Sequence, residues 1–350
     1  MTGEEIGIIA LFVVGIAVVV CLTYFWRRQK WAKPGPKQSF EDFVSSRARR
    51  SDPRVDYGAG LASNGRWREL TVGNEIEEAT AASTILWDTP PERFVPSPEH
   101  WGLALTLPFA VWHRARWDAL PGDPAPEAVS TALTESWGID TRTDLLEQLY
   151  WLYVAGHRAK YNAQRSQLMQ MDSSSIASLQ SVLAQYGASD QDAGEELWQI
   201  ERVRSDDRRI GSIDFTAWDM FRFAMLVRLG SARGHITVEE AHDFLAEISP
   251  GMRASYSSWS EAGEHFRIGR WYWHGEGGDA ERSNDVFDLA RQEALTSPDA
   301  PWSRIPWNIG LPRARGLFAR ALIAEQIIRD PHELTPQPES FWGAHRGRSD

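Results

Sequence analysis

An unbroken run without a charged residue, Ile6 to Trp26, opens the chain and constrains everything after it. As a helix its 21 residues, at about 1.5 Å each, reach roughly 30 Å, the thickness of the hydrocarbon core of a bilayer. A cleaved secretory signal wants a basic flank, a shorter apolar core and small residues at a cleavage site. Here the flank is acidic, with Glu4 and Glu5, and the far end carries Tyr24, Phe25 and Trp26, side chains suited to the membrane interface. The pattern predicts an uncleaved single-pass transmembrane anchor over residues 1–26.

A basic collar follows at once. Between Arg27 and Arg54 nine Lys or Arg side chains face three carboxylates, a balance of +6 within a chain of net charge -11. Basic residues just beyond an apolar helix are retained in the cytoplasm, so the N-terminus is expected outside and the remainder inside, at the cell (inner) membrane. Anionic headgroups would add up to about 1 kcal/mol for each basic side chain near the surface. Residues from Val55 onward carry -15, and an acidic body argues against nucleic acid as a partner, since phosphate binding needs a basic face. The one cysteine, Cys21, lies in the apolar run. No disulfide or cysteine-based metal site is therefore available beyond it.

Residues 27–74 read as a basic flexible tether: Lys33-Pro34-Gly35-Pro36 and scattered glycines give no apolar period. From 75 to 350 the pattern is helical. Segments 75–87, 99–119, 126–137, 141–162, 173–186, 192–204, 214–230, 237–248, 255–273 and 281–295 suit helices, with Pro and Gly between them. Asp140 or Thr141 is placed to cap the helix carrying Leu145, Leu146, Leu149, Leu152 and Tyr153. Asp214 would cap a helix that Gly230 stops. Thr237 and Glu240 form a capping box for a helix ended by Pro250-Gly251. The fold class expected is all-α, a multi-helix globular domain behind the anchor, with at most a small hairpin at Gly275 to Asp279. Seventeen tryptophans need core slots or a binding surface to accommodate them.

Several unusual clusters occur in order: Ser136-Trp137-Gly138-Ile139, Gly156-His157-Arg158, Ala217-Trp218-Asp219 with Arg222, Gly234-His235-Ile236-Thr237 with Glu239-Glu240-Ala241, and Tyr256-Ser257-Ser258-Trp259 followed by Gly269-Arg270 and Trp273. This succession resembles the uncharacterised bacterial YbeU/YbeR-like domain of unknown function, over roughly 127–310. The resemblance implies a helical bacterial domain and imports no mechanism.

Within it, Tyr256 to Trp273 reads as one helix whose Trp259, Phe266 and Trp273 share a stripe, flanked by Gly263 and Gly269 where a neighbour can approach closely. Two readings stand. The helix is the buried centre of the domain, with Trp218 and Phe221 packed on it; or Trp259, Arg270, Trp273 and His274 wall a cleft in which a guanidinium fork and indoles meet a ligand. For chemistry, the strongest grouping is Arg158, Asp219, Arg222, His265 and Arg270 around a pocket between helices. No His-Glu-x-x-His occurs, and Glu239-x-x-His242 is a single copy where a di-iron bundle needs two, so no metal is expected. Ser257 or Ser258 and His265 lie more than about 10 Å apart along one helix, and the Gly-rich Gly275 to Asp279 lacks the Lys-Ser/Thr of a phosphate loop. No cofactor is implied.

The function expected is a membrane-tethered cytoplasmic interaction domain that meets a protein partner at the membrane. Alternatives are a small-molecule-binding protein or hydrolase using the Arg/Asp/His group, and a bilayer-organising protein in which the tether itself acts. Orientation gives the first test: a cysteine introduced near residue 60 should resist a membrane-impermeant thiol reagent in intact cells, and efficient labelling there would reverse the topology.

Overall fold

The computed structural model describes residues 83–186, 191–275 and 278–335. The anchor expected over 1–26, the tether over 27–74 and most of the helix expected over 75–87 lie outside them. Among the described residues no helix is long and apolar enough to cross a membrane. They form α1 (Pro98–Ala104), α2 (Leu107–Ala110), α3 (Pro126–Ser130, continued as a π-helix Thr131–Trp137), α4 (Arg142–Val154) and α5 (Gly156–Gln170). Then come α6 (Ser173–Tyr186), α7 (Gln191–Arg204), α8 (Thr216–Arg233), α9 (Val238–Ser255) and α10 (Trp259–His274). The last are α11 (Gly278–Thr296), α12 (Pro301–Arg304) and α13 (Leu317–Ala324). The described residues hold no strand, and the one isolated bridge among them pairs Leu86 with Arg116. The all-α expectation therefore stands for this part of the chain.

Helix α8 is apolar around most of its circumference, and a helix with no polar face has to be enclosed. Every residue from Thr216 to Gly230 is buried, with α2, α3, α4, α5, α9 and α10 packed around it. The centre of the domain is thus α8, not the Tyr256–Trp273 helix expected there, which lies against it as α10. Gly230 does not stop α8. It is buried inside the helix, where a Cβ would come within 2.3 Å of Leu145 Cδ2, and the helix ends at left-handed Gly234. The glycine marks a close approach of α4, and its conformational freedom is not used.

Other boundaries moved for similar reasons. Pro250 does not end α9: its ring faces solvent while Ser249, Gly251 and Met252 are buried, so packing carries the helix on to Ser255. Helix α10 starts three residues later than the Tyr256 start expected, since Ser258 caps it by accepting from Glu261 N (3.1 Å). Tyr256 is left extended. Its hydroxyl accepts from Ala217 N (2.7 Å) and donates to Asp214 O (3.0 Å), and the Asp214 carboxylate accepts from Thr216 N (2.8 Å), so both groups serve the start of α8. The 99–119 helix is broken into α1 and α2, where Thr106 Oγ1 donates back to Leu103 O and Pro108 has no N–H. Ser83 to Trp87 is not helical; Gly275 ends α10 and α11 is under way by Gly278, so the described residues of the hairpin expected at Gly275 to Asp279 hold no strand. The capping boxes at Thr141 and Thr237 are present; the one at Thr141 is completed by Asp144.

The tryptophan excess has a packing explanation. Trp101 of α1, Trp259 of α10, Trp302 of α12 and Trp307 form a cluster with ring centroids 4.7–5.7 Å apart. Three of the indole N–H groups reach backbone carbonyls of another segment: Trp101 to Trp307, Trp259 to Ile305 and Trp302 to Ala104. The cluster ties the beginning of the domain to its end.

Arg228 of α8 reaches back to the same early segment. Its guanidinium is wholly buried and donates to Thr106 Oγ1 and to the carbonyls of Arg116, Trp117, Ala119 and Pro121, at 2.6–3.1 Å. Burial pushes its pKa down to about 9, so it is still a cation at neutral pH, solvated by carbonyl dipoles. His113 is buried nearby, and burial first and Arg228 second lower its pKa to about 4.

A pH dependence follows. An unfolded imidazole takes up its proton near pH 6.5 (the ordinary value) and the folded His113 only near 4, so the stability it represents is complete above about 6.5 and lost as pH falls through 4. The 2.5-unit interval corresponds to about 3 kcal/mol. Urea denaturation between pH 7 and pH 4 should show this loss, and His113→Phe should flatten it; an unchanged slope would exclude His113 as its source.

Candidate functional site

The chain breaks between α4 and α5, inside the single helix expected over 141–162. Ala155 leaves helical geometry (φ -135, ψ -63) and Gly156 is left-handed (φ +59). The cause sits on α8. Asp219 inserts its carboxylate into the break, where a Cβ on Gly156 would lie 2.0 Å from Oδ2. Only glycine leaves that space.

Asp219 is fully buried and accepts from the first free amides of α5, His157 N (3.1 Å) and Arg158 N (2.9 Å). It also accepts from Arg158 Nη1 (3.0 Å) and Arg222 Nη2 (2.5 Å). Arg158, itself fully buried, donates onward to Leu152 O and Tyr153 O (both 2.5 Å), the unsatisfied carbonyls at the end of α4. Arg222 lies 4.1 Å over the Trp218 ring and 5.5 Å from that of Trp137, donates to Trp218 O, and places Nη2 2.8 Å from His157 Nδ1. Two cations and one anion leave this group with one net positive charge.

Arg222 can only donate, so His157 Nδ1 accepts and its proton resides on Nε2. The His157 pKa falls well below the usual imidazole value through burial first, then the Arg222 guanidinium and the Lys160 ammonium. Since 26% of the side chain is exposed, the guanidinium against Nδ1 is the firmer of these causes. His157 is therefore a neutral donor at pH 7, set edge-to-face against Trp151 at 5.0 Å. Trp137, Trp151 and His157 are half-buried, as is Trp273, which joins the group through the buried Trp218 at 5.4 Å.

The grouping expected from sequence divides into three. Arg158, Asp219 and Arg222 converge as described. His265 lies apart beside Tyr256, its Nδ1 accepting from Asp214 N (2.9 Å), and burial lowers its pKa. Arg270 lies in the seam of α10 and α11, paired with Asp288 (2.9 Å), which also holds Arg291 (2.6 Å), both guanidinium groups within 5.3 Å of the Trp112 ring. The cleft expected from Trp259, Arg270, Trp273 and His274 is not open. Trp259 is in the tryptophan cluster, Arg270 and His274 are buried, and only Trp273 keeps partial exposure. Between α2, α10, α11 and α12 a cavity lined by Pro108, Gly263, Phe266, Arg291, Gln292 and Trp302 encloses about 10 Å³, room for one water. Among the described residues no group of His, Asp and Glu is arranged to hold a metal ion.

Sequence reasoning missed Trp151 and Lys160 and did not assign His157 a role. The signal available was Gly156 itself, a glycine in the middle of an apparent helix.

In chemical terms the group is saturated. The Asp219 oxygens receive four donors, Arg158 and Arg222 spend theirs on carboxylate, backbone and imidazole, and His157 Nδ1 is occupied. No member is poised as a nucleophile or base. What remains outward is an aromatic face with one imidazole donor. Replacing Asp219 by Ala would strand two buried guanidinium groups and is expected to destabilise the domain by about 3–5 kcal/mol. Chemical denaturation checks this, and a loss below about 1 kcal/mol would show that the cluster contributes little to folding.

The five sequence clusters that carry the family resemblance all lie within one helical domain. A 190-residue stretch, 50% of this chain and 75% of its relative, is 26% identical to the "Uncharacterized protein YbeR" of Escherichia coli (strain K12). No solved structure matches significantly. The family model described as "Protein of unknown function (DUF1266)" matches residues 132–307, which span α3 to α12 and contain Asp219 and every residue grouped around it. The chain belongs to that family.

Proposed function

We propose that the chain is a membrane-tethered interaction protein: residues 1–26 anchor it, 27–74 form the tether, and the helical domain within 75–350 meets a protein partner on the cytoplasmic side of the membrane. The apolar run and basic collar of the sequence support the tether. The partner face is assigned to Trp137, Trp151, His157 and Trp273.

One observation carries this reading. The charged side chains that would have to do chemistry are buried and spend their hydrogen bonds on one another and on backbone in solid packing, whereas half-buried indoles lie beside them. Tryptophan is enriched among side chains that dominate protein interfaces, because a large rigid ring desolvates much area at small entropic cost. A hydrolase would ask for Asp219, Arg222, His265 and Arg270 to converge on an open cavity; their division into separate packed groups favours the interaction module. Anchoring raises local concentration at the membrane and suits a scaffold or regulator.

Full-length chain, extracted in detergent and used as affinity bait in its own cell extract, tests both parts. Trp151→Ala with Trp273→Ala should reduce recovery of the specific partner roughly thirty-fold, the equivalent of about 2 kcal/mol for a central interface residue, while Leu289→Ala on the exposed side of α11 should not. Equal recovery by all three would remove the aromatic face from recognition. Full-length protein found in a high-speed supernatant without detergent would end the tether.

A further inference from the structure

The connection between α7 and α8 contains three residues with left-handed backbone, none of them a glycine: Asp206 (φ +50), Arg208 (φ +53) and Arg209 (φ +59). A Cβ makes that region unfavourable, and three such residues among four persist only where the surroundings hold them. What they achieve here is to aim Arg208. Its guanidinium lies 4.5 Å over the Trp271 ring and donates to Asp285 (2.6 Å) and Glu281 (3.2 Å), both on the first half of α11.

Two further arginines reach the same two carboxylates. Arg202 of α7 pairs with Glu281 (3.1 Å) and Arg267 of α10 with Asp285 (2.6 Å). Trp271 Nε1 donates to Glu281 Oε1 (2.7 Å). The side chains of these pairs are 11–30% exposed, so salt can reach them. The second half of α11 is held differently, by buried Asp288, Arg291 and Leu295. One helix is thus fixed by core packing at one end and by charge at the other.

We propose that the Asp206–Arg209 turn is a charge-operated latch: Arg208 holds down the first half of α11, and its release uncovers a cationic, aromatic surface of Arg202, Arg267 and Trp271 that fits an acidic helical segment with two carboxylates one turn apart, as Glu281 and Asp285 now are. The latch is independent of the aromatic face around His157. Glu281 and Asp285 are its internal occupants, and a competing acidic segment or high ionic strength opens it.

Hydrogen exchange followed by mass spectrometry on the full-length chain in detergent tests this. Raising NaCl from about 0.1 to about 1 M shortens the Debye length from roughly 10 Å to roughly 3 Å and should accelerate exchange across 281–289 while leaving 216–230 unchanged. Arg208→Gln should produce about tenfold faster exchange across 281–289 already at low salt, the effect of losing two ion pairs on a local opening. Arg209→Gly, which relaxes one left-handed residue without touching α11, should not accelerate it. The latch is overturned if salt leaves 281–289 unaffected in the unaltered chain, or if Arg208→Gln speeds 216–230 as much as 281–289. Should Arg208→Gln fail to fold, the salt series on the unaltered chain decides alone.

Discussion

Asp219 carries a negative charge into the first turn of a helix that is buried on every side, and the arrangement of three helices depends on how that charge is satisfied. A carboxylate moved from water to a protein interior loses several kcal/mol of solvation and keeps its charge only where donors replace the water. Asp219 recruits them from two helix ends. The first amides of α5 and the guanidinium of Arg158, which itself closes the carbonyls of α4, converge on its oxygens. Arg222 completes the set from one turn further along α8. Each partner is an orphan of its own helix terminus or a buried cation, and none is satisfied without the others. The break at Ala155–Gly156 is therefore a consequence of the charge on α8.

The same geometry links packing to the aromatic face proposed for recognition. Arg222 spends its donors inward, on Asp219 and on Trp218 O, and in doing so faces Nδ1 of His157. The imidazole is held neutral at the surface between indoles of different helices. An aromatic face built over a rigid polar core loses little freedom when a partner covers it, and that preorganisation favours binding.

Helix identity was legible in the sequence wherever the apolar period was long and a cap was present. Thr141, Thr237 and the segments that became α6, α7 and α11 follow from local rules. Termination was less legible. Gly230, Pro250 and the 141–162 segment were misread because each depended on a neighbour: Leu145 against Gly230, the core against Gly251 and Met252, and Asp219 against Gly156. Local chemistry proposes a break at a glycine or proline, and tertiary contact decides whether it is used. The candidate site shows the same limit. That Arg158, Asp219 and Arg222 belong together was visible from residue type, but the departure of His265 and Arg270 into other seams depended on Asp214 and Asp288. Those partners lie 51 and 18 positions away in the chain, and no spacing rule connects them.

The carbonyl ring around Arg228 bears on where this domain begins. Its oxygens come from residues 116–121, ahead of the stretch 132–307 that the family model covers, and the tryptophan cluster likewise draws Trp101 from outside it. The matched stretch and the packed domain therefore differ in extent. A chain cut at the boundary of recognisable kinship would expose a desolvated guanidinium and an indole cluster lacking Trp101, and the packing that completes the family segment belongs here to a longer piece of polypeptide.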